Sequence, residues 1–298
     1  MQVKSQEDID WLRLMLCAAD LGAEGLGRLL QNYGSSAEIV RAGRREVAQV
    51  IGKEASLALF SDEKSRECEE ALAWLQETDN AAVLVWSDEE FPKGLLALPR
   101  PPSVLYLRGR REILSRRRIN LTGTRRPDAE GLRNAQDFGC AVAKNAALVT
   151  GLEEGVELAS AEAALTLGDA AQGAVIVVQA TGPDRLYPAH NRGIFYLAAE
   201  HGLLVSPFAP HAGFDKEHEA VRRTVGMMMS EALFVVQSEL GSESLSLARE
   251  AAEAGREVYT IPGSIHSTLY KGNHKLLREG AGLVETIRDL GLGPQAAP

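Results

Sequence analysis

The chain has 298 residues, 45% hydrophobic and 5% aromatic, which is enough for one sizeable core and a smaller companion. No run approaches the ~20 apolar residues that span a bilayer, and the acids Glu7, Asp8 and Asp10 stand before the short apolar run near the start, so neither a membrane protein nor a secretory leader is expected. Three scattered cysteines, Cys17, Cys68 and Cys140, exclude a disulfide framework and a CxxC metal site, and point to buried thiols in a cytoplasmic protein.

The formal net charge of −9 argues against a polyanion partner only until it is placed along the chain. Residues 1–90 hold 9 Lys/Arg and 18 Asp/Glu, whereas residues 91–298 hold 23 of each sign. Within that neutral remainder, ten arginines fall between Arg100 and Arg133 against three acids, Glu112, Asp128 and Glu130. Local stripes, rather than whole-chain charge, govern contact with a polyanion. A solvated basic face is the alternative.

In chain order, Asp8 to about Asp79 repeats apolar positions at helical spacing, as in Ile9, Leu12, Met15 and Leu16. Leu21 to Gly27 joins one helix to the next, and Gly25-Leu26-Gly27 within it has the Gly-apolar-Gly form of a helix-hairpin-helix turn, with a purely structural turn as the bland reading. A proline-rich passage, from Phe91-Pro92 to Pro99-Arg100-Pro101-Pro102, reads as a linker or edge segment, and Val104–Leu107 as a short strand. Seven apolar, β-branched runs follow, opening at Ile119, Ala147, Val175, Leu203, Leu233, Val258 and Gly282, 24 to 30 residues apart with helical patterns between them. Runs without alternation suit strands buried on both faces, and such spacing suits crossover helices. The expected fold is α/β, a doubly wound parallel Rossmann-like sheet with a small all-helical N-terminal domain. The expected limits are 1–85 for the helical unit, 86–290 for the sheet unit and 291–298 for a tail. An antiparallel sandwich would need turn signals about every 8 to 12 residues, and they are absent.

Ligands of such sheets lie beyond the carboxyl ends of the strands. After the first run stands Thr122-Gly123-Thr124-Arg125-Arg126, where glycine permits close backbone approach and two guanidinium groups can grip phosphate. It is not GxGxxG, so no dinucleotide cofactor is expected. After the second run, Gly151 and Gly155 suit a similar loop, but Glu153, Glu154 and Glu157 would repel a phosphate. Glu153 and Glu154 are consecutive and diverge on a helix, which reads as a solvated helix start. Ser242 and Ser244 follow the fifth run without a base beside them, and no HExxH, CxxC or DxDxDG pattern offers a metal site, so neither catalysis, nor a metal, nor a cofactor is expected. His190, His211, His218 and His266 read as loop residues.

The order of these motifs resembles the DNA-processing protein A (DprA/Smf) family over most of residues 91–287. Phe91-Pro92 through Leu105-Tyr106 and Gly109 resembles its FPxxL…PPxxLYxxG, and Thr122-Gly123-Thr124-Arg125 its VGTR. Thr150-Gly151-Leu152 with Gly155 is similar to SGLARGID, Tyr187-Pro188 with Asn191 to YPxxN, and Ser242-Glu243-Ser244-Leu245 to SGSLIT. Ile261-Pro262-Gly263 and Gly272-Asn273 through Gly280-Ala281 resemble the closing IPG and GxNxLIxxGA. The resemblance implies a SAM-like or helix-hairpin-helix front domain. It also implies a non-enzymatic protein that binds single-stranded DNA on its Rossmann-like domain, dimerises through it and hands the strand to a RecA-type recombinase in natural transformation. It carries DNA contact to Gly123, Thr124, Arg125, Gly151, Ser242 and Lys271; Arg126, Arg222, Arg223 and Ser244 complete the candidate set.

There are departures. The arginine of SGLARGID falls on Glu154, its aspartate on Glu157 and the following histidine on Ala161, while a glycine of SGSLIT is Glu243. The family's FPxRNRIIxGLS survives only as Ala220 to Ser230. An acid in place of a basic phosphate contact removes an attraction and adds a repulsion. The expectation is therefore single-strand binding shifted toward Arg110–Arg126 and Arg222-Arg223, with a small-nucleotide sensor or a protein adaptor as the competing readings.

Overall fold

Runs such as Val175-Ile176-Val177-Val178 have no polar face to show to water, so they form strands covered on both sides. In the computed structural model, which describes residues 5–167 and 173–293, all seven runs become strands of one sheet.

The front of the chain is helical: α1 (Gln6–Leu16), α2 (Ala18–Tyr33), α3 (Ser36–Ile51), α4 (Lys53–Leu59) and α5 (Asp62–Glu77). Serines set three of their starts, because Ser5, Ser35 and Ser61 each accept a hydrogen bond from an amide of the first turn. The path breaks at Gly22 inside α2, where φ is 67°, within the Leu21–Gly27 stretch expected to join two helices but ahead of the Gly25-Leu26-Gly27 turn. Those two glycines lie in the helical turns that follow. Cys17 and Cys68 are buried and Cys140 partly so, all as free thiols, and burial pushes Cys17 up to about 12.

The remainder alternates: β1 (Ala81–Val85), β2 (Val104–Gly109), β3 (Arg118–Thr122), α6 (Ala129–Asn145), β4 (Ala147–Thr150), α7 (Val156–Leu165), β5 (Val175–Val178), α8 (Arg192–His201), β6 (Leu203–Ser206), α9 (Lys216–Met228), β7 (Ala232–Val235), α10 (Glu243–Glu253), β8 (Glu257–Thr260), α11 (Lys271–Arg278) and β9 (Gly282–Leu283). The nine strands lie in the order β1-β2-β6-β5-β4-β3-β7-β8-β9. From β6 to β9 all pairs are parallel, whereas β1 on β2 and β2 on β6 are antiparallel. The doubly wound parallel sheet thus carries an antiparallel edge. Its outermost strand, β1, falls at the end of the segment expected to be all-helical.

Alternate residues feed opposite cores. Ile119, Leu121, Leu148, Val177 and Phe234 pack on one face with side chains of α6, α7 and α8, while Val149, Ile176, Val178, Leu233 and Val235 pack on the other with α9 and α10. A third cluster joins the front helices to Val83, Val85, Val104 and Tyr106 of β1 and β2. Leu84, Leu105 and Leu107 of the same ribbon point into the second core. Residues 294–298 of the expected tail lie outside the described residues; Leu290 and Leu292 are buried in the first core.

Candidate nucleic-acid interface at the switch point of the sheet

Strand β3 lies between β4 and β7, and the chain winds outward from it in both directions, so the crevice of the sheet opens where β3 and β7 end. The turn after β3 is clamped there. Thr124 N donates to Gln237 O at 2.7 Å, and Val156 N donates to Thr124 O at 3.2 Å. Gly123 has no room for a side chain, since a β-carbon would stand 2.7 Å from Val156 Cγ2 and 2.9 Å from Gln237 O. The open space beside this turn is a cleft of about 280 Å³. Seven of the ten candidate residues line it: Gly123, Thr124, Arg125, Arg126, Arg223, Ser242 and Ser244.

Gly151, Arg222 and Lys271 stand outside that lining. Arg222 is buried beneath the cleft, its side chain 5% exposed, where it donates to Glu157 Oε2 at 2.9 Å and to Glu219 Oε1, and passes 3.7 Å from Glu153 Oε2. Its guanidinium is held protonated far above its ordinary range by those carboxylates, Glu157 first, against the cost of burial. It braces the floor of the cleft from below. Lys271, at the start of α11, turns its ammonium to Ile265 O.

The acids expected to repel phosphate are placed by the same geometry. Glu157, buried, takes Arg222 on one oxygen and the Thr122 hydroxyl, at 2.9 Å, on the other. Glu154 points outward, 3.6 Å from His190. Glu153, expected to be a solvated helix start, is instead 16% exposed in its side chain and lies between Arg125 and Arg222. Burial, then the neighbouring Glu219 and Glu157, push its carboxyl up to about 7, with Arg222 and Arg125 opposing. Glu219 escaped the sequence reading, and its signal is the i, i+3 spacing to Arg222 on α9.

Two arginines of the cleft are engaged at its mouth. Arg125 Nε donates to Glu153 at 3.0 Å and its Nη2 to Glu243 Oε2 at 3.1 Å; Arg223 Nη1 donates to the same Glu243 oxygen. Arg126 is exposed, with no ion pair among the described residues. Deeper in, Ser238, Ser242 and Ser244 close a ring of hydroxyls with O···O distances of 2.7, 3.1 and 3.0 Å, and Ser242 caps α10 by accepting from Leu245 N. No basic side chain among the described residues hydrogen-bonds that ring. No group of three potential metal ligands is found among those residues either.

The stripe of arginines is divided between the two ends of the sheet. Arg117 donates to Leu290 O, Arg118 to Met229 O and Glu231, Arg110 to Glu112 and His201 O, and Arg111 to Glu90. These four pin loops at the amino ends of the parallel strands, away from the cleft. Only Arg125 and Arg126 of the stripe reach it.

Residues 82–292 match the family described as DNA recombination-mediator protein A. The chain belongs to that family. It is 32% identical over 206 residues to the DNA processing protein DprA of Bacillus subtilis, covering 68% of each chain. Its fold is similar to that of DNA processing protein A (DprA) from Streptococcus pneumoniae, with a TM-score of 0.73 at 24% identity over 97% of this chain and 98% of that one. It is also similar, with a TM-score of 0.62 at 24% identity over 72% of this chain and 94% of the other, to DNA processing protein A from Helicobacter pylori, solved in work on its single-stranded DNA binding mode.

Several of the recombination-mediator motifs act as struts. Asn273, fully buried, accepts from Ser238 N at 2.8 Å and donates to Val236 O and Ile261 O, tying the ends of β7 and β8 to α11. Asn191 donates to Leu152 O at 2.7 Å and anchors the loop after β4. These motifs hold the crevice open in one shape.

Proposed function

We propose that this member of the recombination-mediator A family binds single-stranded DNA across the switch-point cleft and passes it to a RecA-type recombinase, without bond chemistry of its own. The observation that carries the reading is the Thr122–Arg126 turn: a backbone clamped by Gln237 and Val156 that presents Arg126 to solvent and Arg125 at the mouth. Guanidinium groups on a fixed turn can grip phosphodiester oxygens without ordering a loop first. Family membership supports the recombinase partner, the homodimer through the sheet unit and the cytoplasmic location. No helix among the described residues is long and apolar enough to cross a membrane.

Fluorescence anisotropy with labelled oligo-dT over a range of salt tests the reading. Binding is expected to weaken steeply with salt, to tolerate sequence, and to fall by about tenfold or more in the Arg125→Ala/Arg126→Ala double variant. Absence of binding by the unmodified chain at low salt overturns it.

A further inference from the structure

The carboxylate of Glu243 already occupies the place between Arg125 and Arg223 where an anion would sit. Both guanidinium groups converge on one of its oxygens, Oε2. Each guanidinium has a second carboxylate beside it: Arg125 Nε donates to Glu153 at 3.0 Å, and Arg223 Nε lies 3.8 Å from Glu219, so both keep a neighbouring countercharge when Glu243 leaves. Glu243 is also the first residue of α10, whose cap is made by Ser242, and its side chain is 61% exposed. It can therefore swing into solvent without disturbing the helix. Glu239 lies on the same rim and carries the same charge with no ion pair among the described residues.

We infer that Glu243 is the affinity-setting residue of the cleft, a resident carboxylate that a phosphate group must displace from Arg125 and Arg223. The inference rests on the reading of the cleft as a phosphate-binding surface, and concerns how strongly that surface is opposed from within. The hydrogen bond from Arg223 holds the Glu243 carboxyl below its ordinary range, so the competitor stays charged. A strand gains two guanidinium contacts only after breaking two existing ones, and it meets a displaced carboxylate beside its own charge. Glutamine at 243 keeps the size and removes both the competition and the repulsion, leaving two arginines preorganised for one phosphate.

The test compares the full-length chain with Glu243→Gln, Glu239→Gln and Glu243→Gln/Arg223→Ala, using oligo-dT anisotropy across salt and thermal shift with inorganic pyrophosphate. Glu243→Gln is expected to bind oligo-dT about tenfold more tightly than the unmodified chain, with a steeper salt dependence. Glu239→Gln, which changes only the general charge of the rim, is expected to gain about threefold or less. The double variant is expected to lose the gain. A gain no larger than that of Glu239→Gln, or one that survives loss of Arg223, overturns the inference. Should the unmodified chain bind no DNA, the functional reading falls by itself. Pyrophosphate stabilising Glu243→Gln but not the unmodified chain would then still uphold the role of Glu243, and no stabilisation of either would overturn it.

Discussion

Gly151 and Arg222 touch so closely that a β-carbon on the glycine would stand 2.2 Å from Arg222 Nη1 and 2.4 Å from Glu157 Oε2. The loop after β4 is thus shaped around a buried guanidinium. Gly151→Ala is expected to destabilise the fold by about 1–3 kcal/mol, because Arg222, fixed by its carboxylates, cannot yield. Urea denaturation of the variant against the unmodified chain measures it, and an unchanged midpoint would mean that the brace is soft.

Arg222 itself is the countercharge for Glu157 and Glu219, whose side chains are 8% and 6% exposed. Replacing it by methionine leaves buried carboxylates without their cation, and the expected cost is about 3–5 kcal/mol. Adding Glu157→Gln to that variant is expected to recover part of the loss, since one fewer charge is then stranded. The same denaturation series reads both.

Glu153 supplies a pH dependence. In the folded chain its carboxyl holds a proton up to about pH 7, whereas an ordinary glutamate releases it near 4.5. Between those values the folded state binds more protons than the unfolded one, so this group's contribution to stability declines as pH rises and levels off above the upper value. Glu153→Gln is expected to remove a fall on the order of 2 kcal/mol. Melting temperatures of both proteins at about pH 5 and about pH 8 give the comparison, and parallel curves would place the proton elsewhere.

The inner strands were legible in the sequence because burial on both faces leaves a local mark: Ala147–Thr150, Val175–Val178 and Leu203–Ser206 are apolar end to end or close with a single hydroxyl. Ala81–Val85 was not legible as part of the sheet, since its partner Val104–Gly109 lies beyond a proline-rich passage and the pairing is set by distant contacts. The candidate site divides in the same way. The Thr122–Arg126 turn follows from a glycine and two arginines at a strand end, all adjacent in sequence. That Arg222 goes inward while Arg223 reaches the cleft follows from Glu157, 65 residues upstream, and no local pattern announces it. Glu153 and Glu154 diverge, but from the loop before α7 rather than on a helix as expected; that Glu153 turns toward buried arginine rather than water depends on α9.

Asn273 tests whether the closing motif is structural. Its amide satisfies one amide and two carbonyls from the ends of β7 and β8, all buried. Asn273→Leu strands those groups, with an expected loss of about 2–4 kcal/mol. Hydrogen exchange should show the damage concentrated at Val236 to Ser238 rather than in the front helices.

The ribbon of β1 and β2 has one face among the front helices and the other in the second core. A strip shared between two interiors works as a hinge that has been glued shut. Prying the helices away would strip Val83, Val85, Val104 and Tyr106 of their cover and load β2, which is laddered to β6 from Tyr106 to Gly109. The acidic front of the molecule is therefore fastened to the edge of the same sheet whose switch point forms the cleft.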